Sequence, residues 1–239
     1  CEVIPSHYQQ AIYEFIRSQE GNAVIEAKAG SGKTSTALQG AEYARGHILF
    51  CAFNKAIADA IRPRLQGGAE AATLHSVGNR FLKKHYPHAQ LNDRKTEQYL
   101  QESLKGSIAD WEERRRTISS VTRLVSLAKA TLTDYEDRAA LQNMADRYGV
   151  DINGDAERVL SLVSPTMSVL SRNASEYDFD DMIYWPVRDR LIQENEYDCV
   201  FVDECLPYRT PVLLADGTSL PIGEIVEQRL PVEVLSFDS

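Results

Sequence analysis

Residues Ala27-Lys28-Ala29-Gly30-Ser31-Gly32-Lys33-Thr34 follow a short apolar run, Ala23-Val24-Ile25-Glu26-Ala27, and lead into a helical pattern reaching about Arg45. A strand, a glycine loop and a helix in that order are the context a phosphate-binding loop requires. The glycines let backbone N–H groups turn inward around phosphate oxygens. The start of the helix adds a favourable dipole. Within the set Ala29, Gly30, Ser31, Gly32, Lys33, Thr34 and Ser35, Lys33 can reach the terminal phosphates of ATP and the Thr34 hydroxyl can ligate Mg2+. A chance glycine-rich turn is the competing reading. Far downstream, a second apolar run, Val200-Phe201-Val202, ends in Asp203-Glu204. An Asp-Glu pair alone often just faces solvent. Paired with the glycine loop, it predicts Asp203 on the magnesium and Glu204 orienting and activating the attacking water.

The distance between these halves constrains the fold. Short strand-like runs at Ala23–Ala27, His47–Phe53 and Ala71–Leu74 alternate with helical patterns from Ser6, Lys33, Asn54 and His75, with Ser6 a helix cap. Such alternation predicts a parallel α/β sheet. From about Asp93 to Arg172 the pattern turns almost wholly helical, with 3.6-residue periodicity over 97–104, 111–131 and 135–148. A further helix is expected from Asp178 to Leu191, and the sheet resumes at Tyr197–Val202. Lys33 and Asp203 are too far apart for adjacent strand–helix units, so a helical insertion into the α/β core is expected. Asp178, Asp180 and Asp181 cap and position the following helix in preference to binding a metal.

Composition narrows the class. Apolar residues make up 43% and charged residues 26%, as in ordinary globular chains. No apolar run approaches the roughly 20 residues of a membrane helix. No signal peptide is visible, and the cysteines at 1, 51, 199 and 205 form no Cys-x-x-Cys pair. A cytoplasmic setting, in a bacterial or phage-infected cell, is expected. The net charge of −9 argues against wholesale coating of nucleic acid and still permits a local basic groove.

With these residues in place, the chain resembles UvrD/Rep-like superfamily 1 DNA helicases of viral and phage type over residues 5–204. Ala27, where the general loop pattern has glycine, looks normal for that family. The resemblance implies a RecA-like P-loop parallel sheet with an all-helical insertion. Residues 1–92 would form the first part of motor domain 1A, 93–175 a 1B-like insertion, and 176–204 the return to 1A. It implies ATP and Mg2+ as cofactors and single-stranded DNA as partner. Gln9 is similar to the family's adenine-reading glutamine, with Gln10 the alternative. Ala52-Phe53-Asn54-Lys55-Ala56 and Ala72-Thr73-Leu74-His75-Ser76 resemble two DNA-contacting motifs. A Phe beside Asn and Lys supplies a stacking face, an amide and a cation. The competing readings make Phe53 core, Lys55 solvated and His75 a cap. Arg80, Lys83, Lys84, Arg94, Lys95 and the run Arg114-Arg115-Arg116 form either a phosphate track or a solvated face.

After Glu204 the chain changes character. Helicases of this type continue with a Gln-Asp pair, whereas here Cys205-Leu206-Pro207-Tyr208 follows. Cys205, Leu206, Thr210, Val212, Asp216, Gly217 and Ile222 resemble the first block of an intein. Val234-Leu235-Ser236-Phe237-Asp238 resembles the strand after it. The resemblance implies a short, β-rich N-terminal intein (Hint) fragment at 205–239, with an Asp216-Gly217 hairpin turn. Cys205 would be the nucleophile that turns the Glu204 carbonyl into a thioester. Expected partners are then the rest of the helicase, joined to a C-terminal intein piece. The alternatives are a non-motor P-loop ATPase or nucleotide switch, and a chain whose main role is as a splicing half.

Overall fold

The computed structural model describes residues 4–28, 30–65, 68–152, 155–192 and 196–203, together with the backbone of 211–213 and 219–221. In chain order the elements begin with α1 (His7–Ser18), α2 (Lys33–Ala41), β1 (Ile48–Cys51), α3 (Lys55–Ile61), β2 (Glu70–Ala72) and α4 (Leu74–His85). Next come β3 (Gln90–Leu91), α5 (Lys95–Ser103), α6 (Trp111–Thr131), α7 (Arg138–Arg147) and α8 (Ala156–Arg172). The last are β4 (Glu176–Tyr177), α9 (Asp181–Arg188), β5 (Cys199–Val202), β6 (Pro211–Leu213) and β7 (Ser219–Pro221). The described residues fall into two compact units, one running to Phe81 and resuming at Arg190, the other Leu82–Asp189. The protein is thus a mixed α/β chain with a small parallel sheet and nine α-helices among the described residues.

The first unit is built on the sheet, in the order β2-β1-β5, with both pairings parallel. Central strand β1 reads Ile48-Leu49-Phe50-Cys51 and is buried at every position. Continuous apolarity is the signature of a strand covered on both faces. Phe50 stacks on Phe201 of β5 with ring centroids 5.9 Å apart. Helix α1 opens with a capping box: the Gln9 N–H donates to Ser6 Oγ, and the Ser6 N–H donates to Gln9 Oε1. It buries Tyr13 and Ile16. A Cβ built on Gly40 of α2 would lie 2.5 Å from Ile16 Cδ1, so any larger residue there would push the end of the Ile16 side chain aside.

The strand expected at Ala23–Ala27 is not formed. Residues 22–28 carry no regular structure, and Val24 is 85% exposed. An apolar run signals a gain from burial without supplying a partner. A strand needs a neighbouring backbone, and a short extended segment without one gains nothing over its hydrogen bonds to water. Strand β1 is already paired on both edges. The outer edge of β5 takes no strand among the described residues, and its Val200 and Val202 stay half exposed. The helix expected to start at Asn54 starts one residue later, because Asn54 is its cap.

The second unit is helical around α6, whose Val121, Leu124, Val125 and Ala128 are buried. They pack with Val163 and Met167 of α8, Leu100 of α5 and Trp185 of α9 in one core. A two-residue parallel pairing of β3 with β4 joins its ends. Helix α8 runs through Pro165 and α9 through Pro186. The core also holds four charges. Lys129 Nζ lies 2.7 Å from Asp178 Oδ2 and 2.9 Å from Asp181 Oδ1, and Lys95 pairs with the other Asp181 oxygen. Lys95 therefore cannot belong to a surface phosphate track; a lysine so buried persists only with a carboxylate beside it. The Asp181 N–H donates to Asp178 Oδ1 at 2.9 Å, and the Asp178 N–H donates to Asp181 Oδ2 at 3.0 Å. These carboxylates cap the turn into α9. No group of three or more potential ligand side chains forms a metal site among the described residues.

Beyond Asp203, only β6 and β7 are described; they pair antiparallel, Leu213 opposite Ser219. Asp216 and Gly217 of the expected turn lie outside the described residues, as do Glu204, Cys205 and the rest of the expected intein blocks apart from the backbone of those two strands. No described helix is long and apolar enough to cross a membrane.

Candidate functional site

All three strands of the sheet run in parallel, so their carboxyl ends lie on one edge. That edge is where open α/β sheets gather ligand-binding loops. The turn after β1 carries Phe53, Asn54 and Lys55. Thr73 follows β2, with His75 and Ser76 on the first turn of α4 just after it, and Asp203 follows directly on β5. The Ala52 N–H donates to the Ala72 carbonyl at 2.9 Å, and the Asp203 N–H to the Cys51 carbonyl at 3.2 Å. These bonds carry the sheet register into the loops.

The glycine loop is tied to this edge by one contact. The Thr34 hydroxyl donates to Asp203 Oδ2 at 2.8 Å, across 169 positions of chain. Gly30 and Gly32 adopt left-handed backbone, φ +75° and +83°, with open space where a Cβ would stand. Gly32 precedes α2 without any side chain to cap it. The Ser31 N–H donates to the Lys28 carbonyl at 3.2 Å. Lys33 Nζ donates to the carbonyls of Ala27 and Lys28 at 3.0 and 3.1 Å. Its ammonium thus rests on the loop's own backbone, paired with no carboxylate among the described residues. Ser35 is exposed on the first turn of α2. Ala29 lies outside the described residues.

These residues fit a magnesium nucleotide. A hydroxyl and a carboxylate side by side are hard oxygen ligands of the kind Mg2+ takes. The lysine and the uncapped helix start supply positive charge for phosphate oxygens.

Gln9 does more than cap α1. Its Nε2 donates to Thr36 Oγ1 of α2 at 3.0 Å. Gln10 Nε2 instead donates to the Pro5 carbonyl at 3.3 Å. Of the two glutamines, Gln9 is the one bonded to the helix that follows the phosphate loop. Thr36, buried at 7% exposure, is a part of this arrangement that the sequence reading missed. The pair is separated by 27 positions, and no local pattern marks it.

Phe53 is 76% exposed, which excludes its assignment to the core. Asn54 Oδ1 accepts the Ile57 N–H at 2.9 Å, and Lys55 is the first, exposed residue of α3. Thr73 Oγ1 accepts the Ser76 N–H at 3.2 Å. The helix-capping role open for His75 therefore belongs to Thr73; His75 and Ser76 lie exposed on the first turn of α4. Arg80 is engaged with Glu70 at 2.7 Å and with the Tyr197 hydroxyl. The Glu70 carboxylate beside it raises the Arg80 pKa further.

The family model for the UvrD/REP helicase N-terminal domain matches residues 8–205. The chain belongs to that family. No curated protein and no solved structure gives a match. As a UvrD/REP helicase N-terminal domain, the chain is of ATP-dependent DNA helicase type. The family uses ATP with Mg2+ and binds single-stranded DNA. In this helicase domain, the geometry brings Thr34, Asp203, Lys33 and the two loop glycines together. It sets Phe53, Asn54 and Thr73 on the loops leaving the same sheet edge, and Lys55, His75 and Ser76 on the first turns of the helices those loops lead into.

Proposed function

We propose that residues 1–204 are the N-terminal motor segment of a helicase, with 93–175 its 1B-like insertion, that moves along single-stranded DNA by hydrolysing ATP. The observation that carries this reading is the Thr34–Asp203 contact, which joins the two halves of the nucleotide motif at the edge bearing Phe53. Thr34 and Asp203 would hold the magnesium, which on binding neutralises charge on the outer phosphates. Lys33 would leave the Ala27 and Lys28 carbonyls for the terminal phosphate, while the loop N–H groups cradle the phosphate chain. Glu204 would orient the attacking water, and the Gln9 amide would read the adenine edge. Phe53 would stack a base, with Asn54, Lys55, Thr73, His75 and Ser76 lining the strand.

Lys33→Ala tests the site. Nucleotide affinity should fall below detection in the variant, whereas it is measurable in the parent and changes when single-stranded DNA is added. Equal affinity in the two proteins would refute the phosphate-loop assignment. Parental affinity that DNA leaves untouched would favour a non-motor ATPase.

We further propose that Cys205 opens an intein. Its thiol would attack the Glu204 carbonyl, forming a thioester as the peptide nitrogen departs with a proton. Residues 205–239 contain no histidine to serve as the acid–base group. A complementing intein segment would supply it, joined to the remaining helicase sequence. When such a complement is added, mass spectrometry should detect a ligated product, and Cys205→Ala should abolish it. Ligation by the Ala variant would show that the junction lies elsewhere.

A further inference from the structure

A groove of about 800 Å3 lies between α5 and α6, within the helical unit. Along α6 it is lined by Trp111, Arg114, Arg115, Thr122 and Arg123. With Ile118 and Ser119 between them, these recur at three- and four-residue intervals, so they share one helix face. Trp111 is 61% exposed although the Arg115 guanidinium stands 5.3 Å from its ring centroid. Large exposed aromatics beside arginine are what stacking platforms use.

The charges on the walls are not balanced internally. On α5, Glu97 is engaged by Arg94 at 3.1 Å, and Glu102 faces Lys105, just past the helix end, at 3.6 Å. Glu112 outside the groove takes Arg116. That leaves Arg114, Arg115 and Arg123 with no carboxylate partner among the described residues. Arg114 reaches only the Ile108 carbonyl, at 3.5 Å. Arg123 Nε and Thr122 Oγ1 are buried with no hydrogen-bond partner among the described residues. Three arginines on one groove face with no carboxylate among the described residues call for an acceptor from outside the chain. The acceptor must be anionic, to answer three arginines in a chain whose net charge is −9. It must also be extended, because the face from Trp111 to Arg123 spans roughly 18 Å at 1.5 Å per residue.

We propose that this groove binds single-stranded nucleic acid, a base stacking on Trp111 and phosphates meeting Arg115 and Arg123. It is a second contact, separate from the Phe53 and His75 loops, and it rests on the reading of the chain as a DNA-tracking motor.

The chain's two tryptophans make the test direct, since Trp185 is 1% exposed and Trp111 faces solvent. Intrinsic fluorescence and the anisotropy of a labelled oligothymidylate are followed in one titration. Binding should quench the emission saturably, and Trp111→Ala should remove the quench while circular dichroism and Trp185 emission stay native. Affinity in that variant should fall roughly 5- to 100-fold. Arg115→Gln should reduce the slope of log affinity against log salt by about 0.7. Anisotropy that rises with no change in emission, and that Phe53→Ala abolishes, would overturn the groove and leave the motor reading standing. No rise in anisotropy at all would overturn both. Equal quenching by duplex DNA, by ATP or by inorganic phosphate would refute the single-strand assignment.

Discussion

Asn54 answers two demands with one side chain. Its Oδ1 caps α3 through the Ile57 N–H, which leaves the amide N–H groups for a ligand. The two roles separate by substitution. Asn54→Asp keeps a capping oxygen and should change stability little, yet it replaces donors with a negative charge and should weaken single-strand binding. Asn54→Ala should cost about 1 kcal/mol of stability through the lost cap. Denaturant melts beside DNA titrations check both; a fully active Asp variant would confine Asn54 to the cap. At this scale, legibility followed locality. Lys33, Thr34 and the glycines sit in one short motif whose spacing is chemical, and Asp203 is marked by the apolar strand before it. The capping bonds of Asn54 and Thr73 reach three residues, but the same types also suit DNA contacts, so sequence leaves the roles superposed. The Gln9–Thr36 bond and the Arg123 and Thr122 orphans depend on packing between elements, for which sequence carries no periodic signal.

Elements were legible where one segment carries its own boundary chemistry. Helix α6 runs Trp111–Thr131 as its periodicity predicts, because Asp110 caps the Glu113 N–H and the chain turns left-handed at Leu132. Helix α1 follows Ser6 for the same reason. The segment at 23–27 failed because a strand is half of a pair. Apolar Val24 and Ile25 describe a strand that β5 leaves unpaired among the described residues. Amide hydrogens of residues 23–27 should therefore exchange at rates close to those of an open chain, while Leu49, Phe50 and Cys51 of β1 stay protected by two neighbours. Protection at 23–27 equal to that of β1 would show a fourth strand in the sheet. Helix α8 illustrates the opposite override, since local propensity at Pro165 opposes a helix that the buried Val163, Thr166 and Met167 hold in place.

At the scale of the whole molecule, the parallel sheet and its helical companion were legible from the spacing of the motifs, and the ionic core of the second unit was not. Lys95 reads as a surface residue in sequence, yet with Lys129 it closes a buried network with Asp178 and Asp181 that ties α5, α6 and α9. Breaking such a network on one side leaves a buried charge uncompensated, so Lys129→Met should cost about 3–5 kcal/mol. The pH dependence distinguishes charge from packing. Burial opposes ionisation of Asp181, but Lys129 and Lys95 outweigh it and hold its carboxyl below the ordinary aspartate range. Its contribution is present above that range and is lost as pH falls through the lowered value. Burial and the neighbouring Asp181 charge push Asp178 up, so as the solution is acidified Asp178 takes its proton before Asp181 does. Burial also opposes the Lys129 charge, but Asp181 and Asp178 outweigh it and raise its pKa. That contribution is full below the ordinary lysine value and is lost as pH rises through the raised one. The stability gap between parent and Lys129→Met should therefore be widest near neutrality. It should narrow in acid, first with Asp178 and then with Asp181, and narrow again in strong alkali. Denaturant midpoints measured across that range decide it, because a gap constant with pH would make Lys129 a packing residue and remove the ionic account of this core.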